Sequence, residues 1–565
     1  MYYICTYYNN VCNMSMENSF ISELEQSFRN NWDLPALTDY QGETIYYKDF
    51  AKRIAKLHAY FKASGLKKGD KVALCGRNSS HWAIAFFGTM SYGAVVVSIL
   101  HEFDKASVEY IVDHSDTKLF FTDVAIYDKI DISQISQLQS VVSLDDFSLL
   151  HSKSEDLKSF FDSQDEYFKK IITNDFSTNE INWHQDQPDE LAIINYTSGT
   201  TSSPKGVMIP YRSVWSNNKF ANENLPFMNR GDDVVCMLPM AHTYGLAFEI
   251  IKSITYGCHI HFLGKVPSPR IIKEEFAKYR PKLIFSVPLI MEKIVTSNVF
   301  PALRKEPVRT MLKFPILKTL VRKKIKNQLM EFFGGQVGEF VIGGAALNGE
   351  VERFLMSIKF PFTVGYGMTE TSPLISYCSW KEFRNQTCGK PVDRMEVKID
   401  SSNPEKEVGE ILARGTNVML GYYKNEDATK EAFTYDGWMK TGDLGVMDKD
   451  GFIYIKGRNK NMILSSSGQN IYPEEIEEKL NNLSCVQESL AIEEDGKVVV
   501  LVYPDQDVMK AKHIKPENYQ SYFEKKIKEV NENLASYSQI RSFRIQGNEF
   551  DKTPKRSIKR FKYTG

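Results

Sequence analysis

An apolar run, Leu191-Ala-Ile-Ile-Asn-Tyr196, opens directly into Thr197-Ser-Gly-Thr-Thr-Ser-Ser-Pro-Lys-Gly206. A short apolar run bounded by turn residues reads as a buried strand, here one of a parallel sheet. A strand that feeds a small, hydroxyl-rich loop is a way to build a phosphate pocket. Gly199 lets the backbone approach an anion closely, and successive N–H groups can point at it. Thr197, Ser198, Thr200 and Thr201 add side-chain donors, and Lys205 adds a positive charge. No Gly-Lys-Ser/Thr follows the first glycine at Walker A spacing, so the loop is of another kind. A Ser/Thr-rich surface linker is the plainer alternative, but the buried strand before it favours the phosphate pocket. Val207–Pro210 follows, and a helix is expected to open near Tyr211 to Ser213.

The rest of the chain supplies a frame for such a loop. At 565 residues it is too long for one core, so at least two domains are expected. A charged fraction of 25% and a net charge of -1 argue against a global nucleic-acid footprint. The eight cysteines include no Cys-x-x-Cys pair, which suits reduced thiols in a cytoplasm and no zinc site among them. The start lacks a basic n-region and an apolar core, so no signal peptide is read, and translation from Met14 or Met16 is an alternative to Met1. His81–Leu100 is apolar over a span-like length, but its glycines and its switch to Val95-Val-Val-Ser-Ile99 read better as a buried helix followed by a buried strand. Alternation of strand and helix from Lys71 to Thr122, and again from Asp233 to Val364, argues for doubly wound α/β architecture. Residues 150–185 read as a polar, irregular excursion. After Glu382 short strands and Gly-rich turns suggest a small β-barrel, and beyond Arg458 a distinct α+β module begins.

Further stretches have the composition that nucleotide chemistry requires. Val341-Ile-Gly-Gly-Ala-Ala-Leu347 is a strand running into small residues, leaving room for a flat base; tight strand–helix packing would look the same. Gly365-Tyr-Gly-Met-Thr-Glu-Thr371, Trp438-Met-Lys-Thr-Gly-Asp443 and Gly457-Arg-Asn-Lys460 follow. Together with the loop, these resemble, in order and over nearly the whole chain, the signatures of the adenylate-forming (AMP-binding) superfamily of acyl-CoA synthetases, luciferases and peptide-synthetase adenylation domains. The loop departs at Ser202, where the superfamily pattern has glycine. The resemblance implies a large N-terminal domain, 1–457, made of two doubly wound α/β subdomains and a small β-barrel. It also implies a smaller mobile α+β domain, 458–565, hinged near Lys460. By the same resemblance Thr197, Ser198, Gly199, Thr200, Thr201 and Lys205 hold phosphates; Gly344, Ala345 and Ala346 form the adenine platform; and Tyr366 and Gly367 flank the base. Thr369 touches the α-phosphate, Glu370 holds Mg²⁺, and Asp443 and Arg458 hold the ribose. Candidate catalytic residues are Thr200, His242, Glu370, Lys460 and Lys555. The implied reaction joins a carboxylic acid to AMP from ATP, releases pyrophosphate, and passes the acyl group to coenzyme A.

The acid and the acceptor are less sharply specified. Leu238-Pro-Met-Ala-His242 resembles the segment whose histidine lies between nucleotide and acyl pocket. The stretch from Val287 to Gly335 resembles that of bacterial long-chain fatty-acid–CoA ligases, which implies a medium- to long-chain fatty acid. Within it, residues 304–326 interleave basic side chains with Leu312, Phe314, Ile316, Leu317 and Leu320. Such a helix can dock on an anionic bilayer at the inner face of the membrane; an ordinary amphipathic helix packed on its own domain is the preferred reading. In Lys552-Thr-Pro-Lys-Arg-Ser-Ile-Lys-Arg560, Ser557 stands where the superfamily has its adenylating lysine, and Lys555, Arg556 or Lys559 is left to substitute. Two alternatives follow: acyl transfer to the pantetheine arm of a carrier protein, and an adenylation-impaired acyl- or nucleotide-binding protein.

Overall fold

The computed structural model describes residues 19–173, 176–197, 204–264, 268–464, 469–494, 497–553 and 557–564. Its largest sheet has eight strands, in the order Gly421–Tyr422, Lys205–Pro210, Leu191–Thr197, Val95–Ile99, Lys71–Cys75, Thr117–Thr122, Ser140–Ser143 and Leu149–Ser152. The interior strands run parallel and both margins are antiparallel. Val95–Ile99 is buried along its whole length, as expected of a parallel strand covered on both faces. The helix Ser80–Tyr92 is buried almost all round. Ser79 caps its start by accepting from Trp82 N–H, and Gly93 ends it at φ 83°. The apolar stretch His81–Leu100 is therefore one buried helix and one buried strand. Among the described residues no helix is long and apolar enough to cross a membrane.

A second α/β layer carries a four-stranded sheet, Asp233–Cys236, His259–Phe262, Pro35–Thr38 and Thr44–Tyr46, and a parallel three-stranded sheet, Leu283–Ser286, Glu339–Ile342 and Phe362–Val364. The β-rich unit after it consists of a three-stranded antiparallel sheet beginning at Tyr366 and a four-stranded antiparallel sheet, Met395–Asp400, Gly409–Gly415, Met439–Met447 and Ile453–Arg458. From Ile463 onward, helices Pro473–Asn481 and Tyr519–Asn531 pack on the sheet Val486–Glu494, Lys497–Pro504 and Ser542–Ile545 around a core of their own.

Three expectations need correction. Residues 150–185 are not irregular: Glu155–Ile171 is a helix capped by Ser154. Only Leu157 on it is fully buried, so its polar surface obscures the stripe by which Phe160 and Phe161 pack on the core. The strand Leu191–Thr197 is parallel to its neighbour on one side only; on the other it forms a hairpin with Lys205–Pro210. The basic segment does not pack on its domain throughout. In the helix Pro315–Phe332, Ile316 is 78% and Leu320 58% exposed, and Phe314 just before it is 55% exposed. Contact with the core begins only near Ile325, Leu329 and Met330.

Candidate active site

The loop expected to hold phosphates closes a hairpin. Thr197 pairs with Lys205 and Tyr196 with Gly206, so the ends of the loop are fixed at adjacent positions in the sheet. Ser198, Gly199, Thr200 and Thr201, the loop donors expected from the sequence, lie outside the described residues, as does Ser202. The returning strand also pairs with Gly421–Tyr422, placing Tyr422 opposite Val207. Lys205 Nζ lies 5.2 Å from the centre of the Tyr422 ring. The Tyr422 hydroxyl donates to Glu370 Oε1 at 2.9 Å, and the backbone N–H of Met419 donates to the Glu370 carbonyl. Lys205, Tyr422 and Glu370 thus form one line from the loop to the expected Mg²⁺ carboxylate. Tyr422 was not singled out from the sequence, because nothing local ties it to a residue so far back in the chain.

A second cluster lies where the β-rich sheets meet. Asp443 and Arg458 are register partners on neighbouring antiparallel strands. Arg458 Nε sits 2.9 Å from Asp443 Oδ1, and the Tyr366 hydroxyl donates to Asp443 Oδ2 at 2.7 Å. Burial pushes the Asp443 carboxyl above its ordinary range, against the pull of Arg458. Both carboxylate oxygens are engaged, so a ribose diol here would exchange with the Tyr366 and Arg458 contacts. Gly367 is obligatory at its position: a Cβ there would lie 2.0 Å from the Pro373 carbonyl oxygen. Thr369 is buried next to Glu370 in the turn Thr369–Thr371.

Lys460 follows Arg458 by two residues, in the short turn Asn459–Asn461. Burial and the neighbouring Arg458 push its ammonium below the ordinary value, and Asp443 opposes them; Lys205 and Glu370 also act on it. Gly344, Ala345 and Ala346 are exposed after the strand Glu339–Ile342, with Gly344 at φ 85°. The Tyr244 ring would lie 3.1 Å from a Cβ on Gly343, and its hydroxyl donates to Val341 O.

His242 caps the turn Thr243–Gly245, its Nδ1 accepting from Tyr244 N–H at 3.2 Å. The strap before it is held from several sides. Asn195 Nδ2 and Ser98 Oγ donate to Ala241 O, and Asn78 accepts from Met240 N–H while donating to Leu238 O. Glu249 accepts from the N–H groups of Met237 and Leu238, and its own complete burial pushes its carboxyl up to about 8. Glu249, Asn195 and Asn78 carry no motif and were not legible as site residues. Lys555 and Arg556 lie outside the described residues; Ser557 is exposed, with its carbonyl accepting from Thr553 N–H. Of the expected residues in the described chain, contacts join Lys205 with Glu370 through Tyr422, and Tyr366 with Asp443 and Arg458.

A hairpin whose returning strand is tied to Glu370 through Tyr422, and a buried Tyr366–Asp443–Arg458 cluster, are the described parts of the expected nucleotide site. The model of the AMP-binding enzyme family matches residues 24–423, and that of the AMP-binding enzyme C-terminal domain matches 460–564. The chain belongs to the AMP-binding enzyme family and is an acid–thiol ligase of the adenylate-forming class. It is 27% identical over 542 residues to a probable chloroplastic acyl-activating enzyme 16 of Arabidopsis thaliana, covering 82% of this chain and 73% of that one. It is 27% identical over 498 residues to a long-chain-fatty-acid–CoA ligase of Escherichia coli O6:H1, covering 84% and 82%. The fold matches o-succinylbenzoate coenzyme A synthetase from Bacillus subtilis, in complex with ATP and magnesium ion, at a TM-score of 0.73, with 21% identity over 95% of this chain and 98% of that one.

Proposed function

We propose that this ligase activates a medium- to long-chain fatty acid to its acyl-adenylate and transfers the acyl group to coenzyme A. The observation that supports the acid's class is the likeness to the Escherichia coli relative named above, a long-chain-fatty-acid–CoA ligase 27% identical over 498 residues.

In this reading the loop from Thr197 through Thr201 and Lys205 cradles the phosphates, Gly344–Ala346 and Tyr366–Gly367 receive the base, and Asp443 with Arg458 holds the ribose. Holding carboxylate and α-phosphate together makes an in-line displacement effectively intramolecular. Lys205 and Lys460 stabilise the charge that builds on the phosphates. Glu370, a hard oxygen donor beside the phosphate hairpin, fits Mg²⁺, which there would neutralise phosphate charge. His242 orients the carboxylate end of the acid. The module from 458 onward, hinged near Lys460, re-orients for thioester formation.

A second reading is favoured at one place, the exposed surface of Phe314, Ile316 and Leu320 interleaved with Lys313, Lys318, Arg322 and Lys323. It supports peripheral docking on an anionic bilayer at the cytoplasmic face, where a fatty acid partitions. Liposome co-sedimentation unchanged by charge reversal of Arg322, Lys323 and Lys324 would end that idea. The main reading is tested by acid-dependent exchange of labelled pyrophosphate into ATP without coenzyme A, from butyric to stearic acid. Exchange is expected to peak with a long acid. Measurable ATP binding without exchange for any acid would favour the adenylation-impaired alternative raised by Ser557. Exchange followed by thioester formation on a carrier protein but not on coenzyme A would replace the acceptor.

A further inference from the structure

Asp233, His259 and His261 meet on the four-stranded sheet, outside the nucleotide site. Asp233–Cys236 and His259–Phe262 are parallel neighbours, with Asp233 opposite His259 and Val235 opposite His261. Alternation along a strand puts His259 and His261 on one face. Ile260 and Phe262, on the other, join the main apolar core. The three residues each offer a ligand atom within 4.8 Å of the others. His261 Nε2 is 2.7 Å and His259 Nδ1 3.2 Å from the same atom, Asp233 Oδ1.

We propose that Asp233, His259 and His261 bind one divalent transition-metal ion, with zinc as the expected occupant, through a carboxylate oxygen, Nδ1 and Nε2 respectively. The three ligand atoms cluster within 4.8 Å of one another, close enough to share one ion. Zinc bonds of about 2.0–2.2 Å set tetrahedral ligand atoms about 3.3 Å apart. The His259–Asp233 pair already has that spacing, and the His261 pair needs to open by about half an ångström. The donor set of two imidazoles and one carboxylate suits zinc or its neighbours, whereas magnesium and calcium prefer oxygen.

The surroundings fix the rings as metal ligands require. His259 Nε2 is held by Thr38 Oγ1 at 2.7 Å, and that hydroxyl contacts Thr44 Oγ1 at 2.9 Å. This contact turns Nδ1 inward, the kind of outer hydrogen bond that orients ligating histidines. The His261 ring stacks on Tyr279 with centroids 3.5 Å apart. Both histidine side chains are at most 10% exposed, while Asp233 is 38% exposed, leaving an approach for the ion and for a water completing its shell. The bound ion would tie two adjacent strands, one of which runs straight into the strap that ends at His242.

The test uses the full chain, stripped with chelator and then titrated with cobalt(II), read by the visible bands of tetrahedral cobalt and by equilibrium dialysis against zinc. One equivalent of ion with tetrahedral bands is expected, with a rise in melting temperature. Asp233→Asn should weaken binding about tenfold or more. His259→Ala combined with His261→Ala should abolish the bands, while Glu370→Ala should leave them. Absence of the bands and of zinc uptake in the wild type overturns the proposal even if the histidine variants fail to fold. Bands that survive the double histidine variant, or vanish in Glu370→Ala, place the ion elsewhere and overturn it equally.

Discussion

Replacing Tyr422 by phenylalanine isolates one atom of the proposed activation machinery. The hydroxyl that donates to Glu370 Oε1 at 2.9 Å is lost. The ring under Lys205, 5.2 Å from its ammonium, is kept. A hydrogen bond to a charged group contributes about 1.5–3 kcal/mol. Both residues are only partly buried, so water competes and about 1–1.5 kcal/mol is the reasonable share. That corresponds to about a tenfold loss in kcat/KM for ATP. The loss should appear mainly as a greater demand for Mg²⁺, because the Glu370 carboxylate is no longer held in one orientation. Pyrophosphate exchange measured across a magnesium series, with a thermal melt of each variant, separates this from unfolding. Tyr422→Ala, which also removes the ring from Lys205, should cost about a further 0.5–1 kcal/mol. If the phenylalanine variant matches the wild type within about twofold at every magnesium concentration, Tyr422 does not position Glu370 and the line from loop to carboxylate is not functional.

Other substitutions probe the remaining parts. Glu370→Ala should abolish Mg·ATP turnover while the melting temperature holds; retained turnover would mean that the carboxylate for Mg²⁺ is misassigned. Lys555→Ala should impair adenylation far more than thioester formation from supplied acyl-AMP, and equal losses in both half-reactions would remove Lys555 from the adenylating role. Glu249→Gln addresses stability. Between the ordinary value of 4.5 and the folded value of about 8, the folded chain keeps a proton that the unfolded chain has released. Stability therefore falls as pH rises through that window. The variant lacks that contribution, so its melting temperature should decline less from pH 5 to 8 than the wild type's. Parallel declines would show that Glu249 does not titrate there.

Much of this site was legible because its local chemistry is dense. The apolar run Leu191–Tyr196 announces a strand, and the hydroxyl-rich stretch after it the turn that closes a hairpin with Lys205–Pro210. Asp443 and Arg458 each stand in a recognisable segment, and antiparallel register then makes them partners. What escaped is what depends on pairing across the chain. Tyr422 reaches Glu370 only because Gly421–Tyr422 adds to the margin of the large sheet beside Lys205–Pro210. Glu249 supports Met237 and Leu238 through backbone N–H groups that no side-chain pattern discloses. The helix Glu155–Ile171 was hidden for the opposite reason: it lies on the surface, and its polar residues outnumber the few that pack.

In the proposed reading the distribution of charge gives the small module a part in the first step. Among the described residues, Lys205, Arg458 and Lys460 share the site with Glu370 and Asp443. Arg458 is committed to Asp443 at 2.9 Å. Glu370 repels a phosphate until a divalent cation lies between them. In the proposed reading Lys205 and Lys460 are the cations that meet the triphosphate. Ser557 adds no charge, and two basic neighbours in its segment are engaged inside the module: Lys552 with Glu488 at 2.6 Å, and Arg560 with Glu477. Lys460 lies in the turn just after the strand that carries Arg458, so its position is tied to that strand and not to the segment at Ser557. The proposed reading accommodates Ser557 if Lys460, alone or with Lys555, faces the α-phosphate. Loss of either lysine should therefore weaken adenylation without touching ribose binding, which rests on Asp443 and Arg458.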